Sequence, residues 1–328
     1  MMNRLTSLLT QIKNSIIPRT MSTTIENPNV IISLTTVPER LKYWISIEKN
    51  LNSLLHQKTD REYRVIFTIP RLYAMNDNEE YPFPDELAEF AKNNPKLVIN
   101  RDTKDYGPIT KIYGGLNYIT NPEDILIACD DDHLYHEEML EYHINKLNQY
   151  PNHAICFRGD VALEKRPWID DDKPVTNYCH IATEGVKKFV MRPSHIYFPT
   201  TRETYLGVPG HWHSVGYRRK YFGDDFNEDL FSLADGDDPL VGYYLKKHDI
   251  FVLCAVWDKM TDFRPIVDSS GPTVWYTFPI VEPLGFPVEA GGYLIRQKNN
   301  ETNHGRTSPI IGQLLTDYTK IYIEKNEK

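Results

Sequence analysis

Three consecutive carboxylates, Asp130, Asp131 and Asp132, close the run Ile125-Leu126-Ile127-Ala128-Cys129, five apolar residues in a row. A short apolar run that stops at a charge cluster reads as a buried strand delivering acids to the C-terminal edge of a sheet, where open α/β folds bind ligands. Adjacent carboxylates repel one another, so a cation nearby is the reason to keep three together. A second triplet, Asp170 to Asp172, is the control: it lies between Pro167-Trp168 and Lys173-Pro174 with no strand leading into it, and reads as a solvated loop. Another acidic pair, Asp237-Asp238, stands just before a helix predicted from Pro239 to Lys247. Aspartate there is either a helix cap, with Pro239 at the first helical position, or a general base.

The elements that must position these acids alternate in type. Val30 to Thr36 predicts a first strand, and a helix follows from Val37-Pro38-Glu39-Arg40 with Leu41, Trp44, Ile45, Leu51, Leu54 and Leu55 on its apolar side. Tyr63 to Ile69 is a second strand, 79–84 a loop, Asp85 to Asn93 a helix and Leu97-Val98-Ile99 a third strand. Asp105-Tyr106-Gly107-Pro108 turns into a helix from about Ile109 to Ile119, and the strand carrying the acids is the fourth. Strands separated by helices in this order imply right-handed crossovers and a mainly parallel, Rossmann-like sheet. A helix from Glu137 to Tyr150, with Leu140, His143, Ile144 and Leu147 on one face, and a strand from Ala154 to Phe157 continue the pattern.

Beyond Gly159, Pro, Trp, Tyr, His and Gly become dense, which suits long ordered loops around a cleft. A strand end at 216–220 and a strand from Ile250 to Trp257 fall within it, and 310–321 is an amphipathic tail helix. The expected division is therefore 1–28 as an extension, 29–159 as a nucleotide-binding half and 160–328 as a second half of the same domain.

Composition narrows the function. The 328 residues are 41% hydrophobic and 25% charged, as in soluble globular proteins, and the net charge of −8 leaves no basic stripe for nucleic acid. Four scattered cysteines (Cys129, Cys156, Cys179, Cys254) without a C-x-x-C read as reduced residues of a cytoplasmic protein. Leu5, Leu8, Leu9, Ile12 and Ile16 share one helical face, either a peripheral membrane contact or a helix packed on the protein itself. The Asn, Ile, Lys and Tyr content fits an AT-rich genome such as that of a large DNA virus. G-x-G-x-x-G, Walker A and G-x-S-x-G motifs are absent.

Asp130-Asp131-Asp132 resembles the D-x-D motif of glycosyltransferases with the GT-A fold, and two further segments strengthen the likeness. Ser33-Leu-Thr-Thr-Val-Pro-Glu-Arg40 follows the first strand, and Asp105-Tyr-Gly-Pro-Ile-Thr-Lys111 is similar to the D-Y-G-P-x-T-K signature of a family-2-like subgroup. The resemblance covers about Val30 to Gly159. It implies Mn²⁺ or Mg²⁺ bound by Asp132 with Asp130 on the metal or the ribose, and Asp131 nearer the sugar. Thr35, Arg40, Asp105, Tyr106 and Lys111 would frame the base, ribose and phosphates of a nucleotide-sugar donor, with UDP favoured. Asp238, or Asp237 beside it, would take the acceptor's proton.

Gly207-Val-Pro-Gly-His211-Trp212-His213 is similar to the loop that faces the donor sugar in this fold, with His211 near the donor and Trp212 either stacking on a sugar or packing in the core. His304, before Gly305, is the candidate third metal ligand. The implied activity is inverting transfer of a hexosyl or deoxyhexosyl group to a glycan or glycoprotein hydroxyl. The rivals are a phosphohydrolase or nucleotidyltransferase on a Rossmann-like sheet and a catalytically silent glycan-binding module. Leu134 counts against the first, since strand-edge aspartate phosphatases resemble D-x-D-x-[TV].

Overall fold

The computed structural model describes residues 29–74, 78–163, 177–182, 195–199, 204–211, 214–233, 236–255, 264–267, 274–277 and 281–283. The 1–28 extension, the second acid triplet, the side chain of Cys179, Trp212, His213, His304 and the 310–321 helix lie outside that description.

Eight strands form the central sheet. β1 (Val30–Thr35), β2 (Tyr63–Thr68), β3 (Leu97–Asn100) and β4 (Ile125–Ala128) lie in the order β3-β2-β1-β4 and are parallel throughout. β5 (His153–Cys156), β6 (Thr204–Leu206), β7 (Val215–Arg218) and β8 (Phe251–Cys254) extend it as β4-β7-β5-β8-β6. β7 runs antiparallel to both neighbours and β6 antiparallel to β8, while β8 is parallel to β5. The expected mainly parallel sheet flanked by helices is present, with β7 inserted against the grain. That insertion matters for the site: a strand from the second half of the chain lies directly beside the strand that carries the acids.

Burial explains the central place of β4. Its alternate residues feed two cores, Ile125 and Ile127 one face, Leu126 and Ala128 the other, so a continuous apolar run suits a strand covered on both sides. After β1, α1 (Pro38–Leu41) and α2 (Trp44–Leu55) replace the single expected helix, which breaks at Lys42-Tyr43. The first face is covered by α2, α3 (Asp85–Asn93) and, further along, α5 (Met139–Gln149), through residues such as Leu51, Leu87 and Leu140. The other face is covered by α4 (Thr110–Leu116), α6 (Glu228–Phe231) and α7 (Asp237–Lys247), with Ile112, Phe231 and Tyr244 inward. Each apolar side chain so buried contributes about 1.5–3 kcal/mol.

Three expectations need correction. The stretch after Gly159 is not only loop: strands Arg158–Leu163, Asn177–Ala182, His195–Pro199 and Val208–Pro209 form a second, four-stranded sheet, hidden by the turn-rich sequence around them. The 79–84 segment includes a two-residue strand, Glu79–Glu80, paired with Leu72–Tyr73. α7 starts two residues before Pro239, with Gly236 as its cap, so Asp237 and Asp238 occupy the first turn instead of capping it.

Candidate active site

The acid triplet sits in a turn closed by neighbours on both sides. Tyr135 Oη accepts from the Asp130 backbone N–H (2.8 Å) and donates to the Asp130 carbonyl (3.1 Å). Asn50 on α2 donates from one amide to the Asp130 carbonyl (3.0 Å) and the His133 carbonyl (2.7 Å). With its backbone tied at these points, the turn presents three carboxylates in different directions. Asp131 points inward, its side chain only 4% exposed, and accepts from the Thr36 hydroxyl and the Arg40 guanidinium. Asp130 and Asp132 keep 29% and 27% of their side chains exposed.

The three acids share basic partners. Arg40 reaches Asp131 and also Asp132 (2.8 Å), His133 Nδ1 lies 2.6 Å from Asp132 Oδ1, and Lys111 pairs with Asp130. Burial opposes the Asp132 charge, but Arg40 and then His133 outweigh it and hold this carboxyl well below the usual range. Burial likewise opposes the charge on Arg40, and Asp131, Asp132 and Asp130 more than offset it, so the guanidinium stays charged. The three acids of the D-x-D-like turn are thus held by two fixed cations, Arg40 and Lys111, and by the His133 ring.

The second acid pair comes from the first turn of α7, and close packing sets its place. A Cβ at Gly242 would lie 2.6 Å from the Gly207 carbonyl, so the helix rests directly on the 207–211 segment. Within that segment His211, 1% exposed, turns both ring nitrogens inward: Nδ1 lies 2.5 Å from Asp238 Oδ1 and 3.1 Å from Asp237 Oδ2, and Nε2 lies 2.7 Å from Tyr217 Oη on β7. The His211 backbone N–H also donates to Asp238 Oδ1 (3.1 Å). Burial, then the charge of Asp237, pushes the Asp238 carboxyl up.

Lys111 joins the two groups. Its side chain is 3% exposed, and its ammonium meets Asp130 on one side and Asp237 Oδ2 (2.7 Å) on the other. Desolvation works against this charge, yet Asp130, Asp237 and Asp238 together raise its pKa. Ser33 Oγ donates to the Lys111 carbonyl (2.5 Å), fixing the start of α4 on β1.

The rest of the D-Y-G-P-x-T-K segment has a structural explanation. Asp105 is 5% exposed and gathers the Ala74 N–H (3.1 Å), the Gly107 N–H (2.9 Å) and the Tyr81 hydroxyl (3.4 Å), and burial raises its pKa. Gly107 has φ +71°, a left-handed conformation open to glycine. The Tyr106 ring packs edge-on against Tyr113 and Phe231, and its hydroxyl donates to Glu228. Asp105 therefore shapes the turn that delivers Lys111. Thr35, at the edge where the acids emerge, donates to the Thr68 carbonyl (2.9 Å).

Several residues here escaped the sequence reading: Thr36, Asn50, His133, Tyr135, Ser214 and Tyr217. His143 had a partial signal as the one polar residue on the apolar face of α5. It is wholly buried, its pKa pushed down to about 3, and its Nε2 lies 2.8 Å from the hydroxyl of Ser214, a residue held at φ +75° whose N–H donates to the His211 carbonyl (2.9 Å). His133 and Tyr135 lie within five residues of the acids they meet, so a closer look at the local sequence could have found them, whereas for Thr36, Asn50, Ser214 and Tyr217 the fold supplies the proximity.

The family model for glycosyl transferase family 2 matches residues 41–225, more than half of the chain. The chain belongs to glycosyl transferase family 2. The matched span contains Asp105, Tyr106, Lys111, Asp130 to Asp132, His211 and Trp212, and leaves out Thr35, Arg40, Asp237, Asp238 and His304. Among solved structures, S. aureus TarS 1-349 is similar at TM-score 0.41 and 12% identity, over 70% of this chain and 58% of that one. S. aureus TarS is similar at TM-score 0.40 and 12% identity, over 70% of this chain and 35% of that one. The chain thus spans less than two thirds of either. No curated protein matches it. Family membership fits the observed GT-A type α/β fold with its mainly parallel sheet.

For this family 2 protein a divalent cation is testable against the side chains. Asp130 and Asp132 are hard oxygen donors at alternate positions, each part-exposed, with the intervening Asp131 turned inward, and that donor set suits Mg²⁺ or Mn²⁺. His211, Asp237 and Asp238 also bring ligand atoms within 4.8 Å of one another. Partners already stand at both groups: Lys111 meets Asp130 and Asp237, Arg40 and His133 meet the two Asp132 oxygens, and His211 is directed to Asp238 and Tyr217. Among the described residues no helix is long and apolar enough to cross a membrane.

Proposed function

We propose that this protein is a metal-dependent, inverting glycosyltransferase that moves a hexosyl or deoxyhexosyl group from a nucleotide sugar, UDP-linked in the first instance, to a hydroxyl of a glycan or glycoprotein. The observation that carries the reading is the convergence of two part-exposed acid groups, from opposite halves of the chain, on one buried lysine. Asp130 and Asp132 would hold the divalent cation, which neutralises charge on the departing diphosphate. Arg40 keeps Asp131 and Asp132 oriented, and Lys111 adds a fixed positive charge beside Asp130.

Across the cleft, Asp238 removes the acceptor's proton as the acceptor oxygen bonds to the anomeric carbon. The bond from that carbon to the diphosphate breaks, and its electron pair leaves with the nucleotide. Asp238 suits this task better than Asp237: its side chain is 32% exposed against 13%, and Asp237 is held by Lys111. The upward push on its carboxyl moves it toward the range in which a base works near neutral pH. A displacement with a separate base needs no covalent intermediate and inverts the anomeric carbon.

A thermal-shift panel of nucleotide sugars with and without Mn²⁺ tests the donor. Stabilisation by UDP-sugars that requires Mn²⁺ and disappears in Asp132→Ala is expected. Absence of stabilisation by every nucleotide diphosphate tried would sink the reading, and donor binding without turnover in any acceptor mixture would favour a silent glycan-binding protein.

A further inference from the structure

We propose that the acceptor-side base is a carboxylate–imidazole pair in which buried His211, oriented by Tyr217, is the positioning residue for Asp238. This rests on Asp238 being the base. Both ring nitrogens of His211 are engaged, Nδ1 at 2.5 Å from Asp238 Oδ1 and Nε2 at 2.7 Å from Tyr217 Oη. His211 and Tyr217 are buried, at 1% and 0% exposure, so neither can touch an acceptor and both must act through Asp238. The elements are independent in sequence: His211 precedes β7, Tyr217 lies on β7 beside the acid-bearing strand, and Asp238 opens α7.

Two proton inventories satisfy these contacts, and the base role requires one of them. In it the Tyr217 hydroxyl donates to Nε2, which leaves Nδ1–H to donate to Asp238 Oδ1. Oδ1 then accepts from that N–H and from the His211 backbone N–H at 3.1 Å. Two donors on one oxygen fix the carboxylate plane and leave Oδ2 to receive the acceptor's proton. The alternative inventory is chemically distinct: a protonated Asp238 would donate to Nδ1, Nε2–H would donate to Tyr217, and Asp238 could not serve as base. The groups facing His211 are Asp237, Asp238 and Tyr217, with Lys111 behind Asp237.

The tautomer is readable without any substrate. In the full chain labelled with ¹⁵N-histidine, the His211 signals, assigned by their loss in His211→Gln, should show a protonated Nδ1 and an unprotonated Nε2 at neutral pH. Tyr217→Phe should shift Nε2 by removing its donor. A protonated Nε2 with bare Nδ1 in the wild-type protein would overturn the proposal.

The second arm is kinetic, using the UDP-sugar that gives the largest thermal shift. Tyr217→Phe and His211→Gln should lower kcat about tenfold and about a hundredfold, a part of the 10²–10⁴ assigned to general-base catalysis, with the donor KM within about twofold and the acidic limb of the kcat profile displaced. A donor KM rising in step with the kcat loss would mean a merely structural role and would equally overturn the proposal. If no sugar nucleotide is turned over, the glycosyltransfer reading fails, whereas the tautomer still decides the pairing.

Discussion

The two acid groups of the site are built on opposite plans. On the proposed donor side Asp130, Asp131 and Asp132 leave a central strand and meet Lys111, Arg40 and His133. On the proposed acceptor side Asp237 and Asp238 open an eleven-residue helix, whose N-terminal dipole favours negative charge, and share one lysine and one buried histidine. Burial opposes the charge on Asp132, but Arg40 and then His133 hold it well below the usual carboxylate range, whereas burial pushes the enclosed Asp131 up despite Arg40. On α7, burial and then the charge of Asp237 push Asp238 up, the direction that the proposed base role calls for. The same residue type is thus shifted in opposite directions by burial and by the partners at hand, and Lys111 ties the two groups together.

The largest break in that contrast should come from Asp238→Asn. Transfer should fall by about 10²–10⁴ in kcat, while the Mn²⁺-dependent thermal shift with a UDP-sugar stays within experimental scatter of wild type. Loss of donor binding in this variant would place Asp238 on the donor side and dissolve the distinction.

Next in size is Arg40→Leu, which strips the donor side of the partner of buried Asp131. Leaving that carboxylate uncompensated should cost about 3–5 kcal/mol of folding stability, read as a lower urea midpoint at neutral pH. An unchanged midpoint would show that Thr36 and the turn satisfy Asp131 without the guanidinium.

The smallest effect belongs to an exposed control. Asp225 is 40% exposed and meets Lys247 Nζ (2.8 Å), His248 Nε2 (3.0 Å) and the Tyr244 hydroxyl (3.1 Å). The hydrogen bond from Lys247 is the main cause holding its pKa down at about 2. A lowered folded-state pKa gives stability present above the ordinary aspartate value of about 3.9 and lost as pH falls through the folded one. Asp225→Asn should therefore destabilise by under about 1 kcal/mol at pH 7, since solvent screens the pair, and the difference should vanish toward pH 2. A loss as large as that of Arg40→Leu would mean that burial is not what separates strong from weak pairs here.

Much of the donor half was legible in the chain. The run from Ile125 to Cys129 could only be a buried strand, and Asp105-Tyr106-Gly107-Pro108 carried the turn chemistry that brings in Lys111, because strand burial and left-handed turns leave local marks. The pattern after Gly159 was less readable: its strands lie among dense Pro, Gly and aromatic residues, and the pairing of Arg158–Leu163 with Asn177–Ala182 joins residues too far apart for local periodicity to reveal.

The sequence by itself determined that acids stand at a strand edge and that a second acidic pair opens a helix, since residue type and period are local properties. Only the tertiary structure decided which acid meets which cation. β7 had to insert antiparallel beside β4 to bring Tyr217 under the site, and α7 had to pack on Gly207 to set Asp238 against His211. Lys111 stands near the start of a predicted helix, and the family resemblance puts it beside a donor; its burial between Asp130 and Asp237, as the charge that both halves share, shows only in the fold. Such pairings are contacts over long sequence separations, and their energies depend on burial that no local pattern encodes.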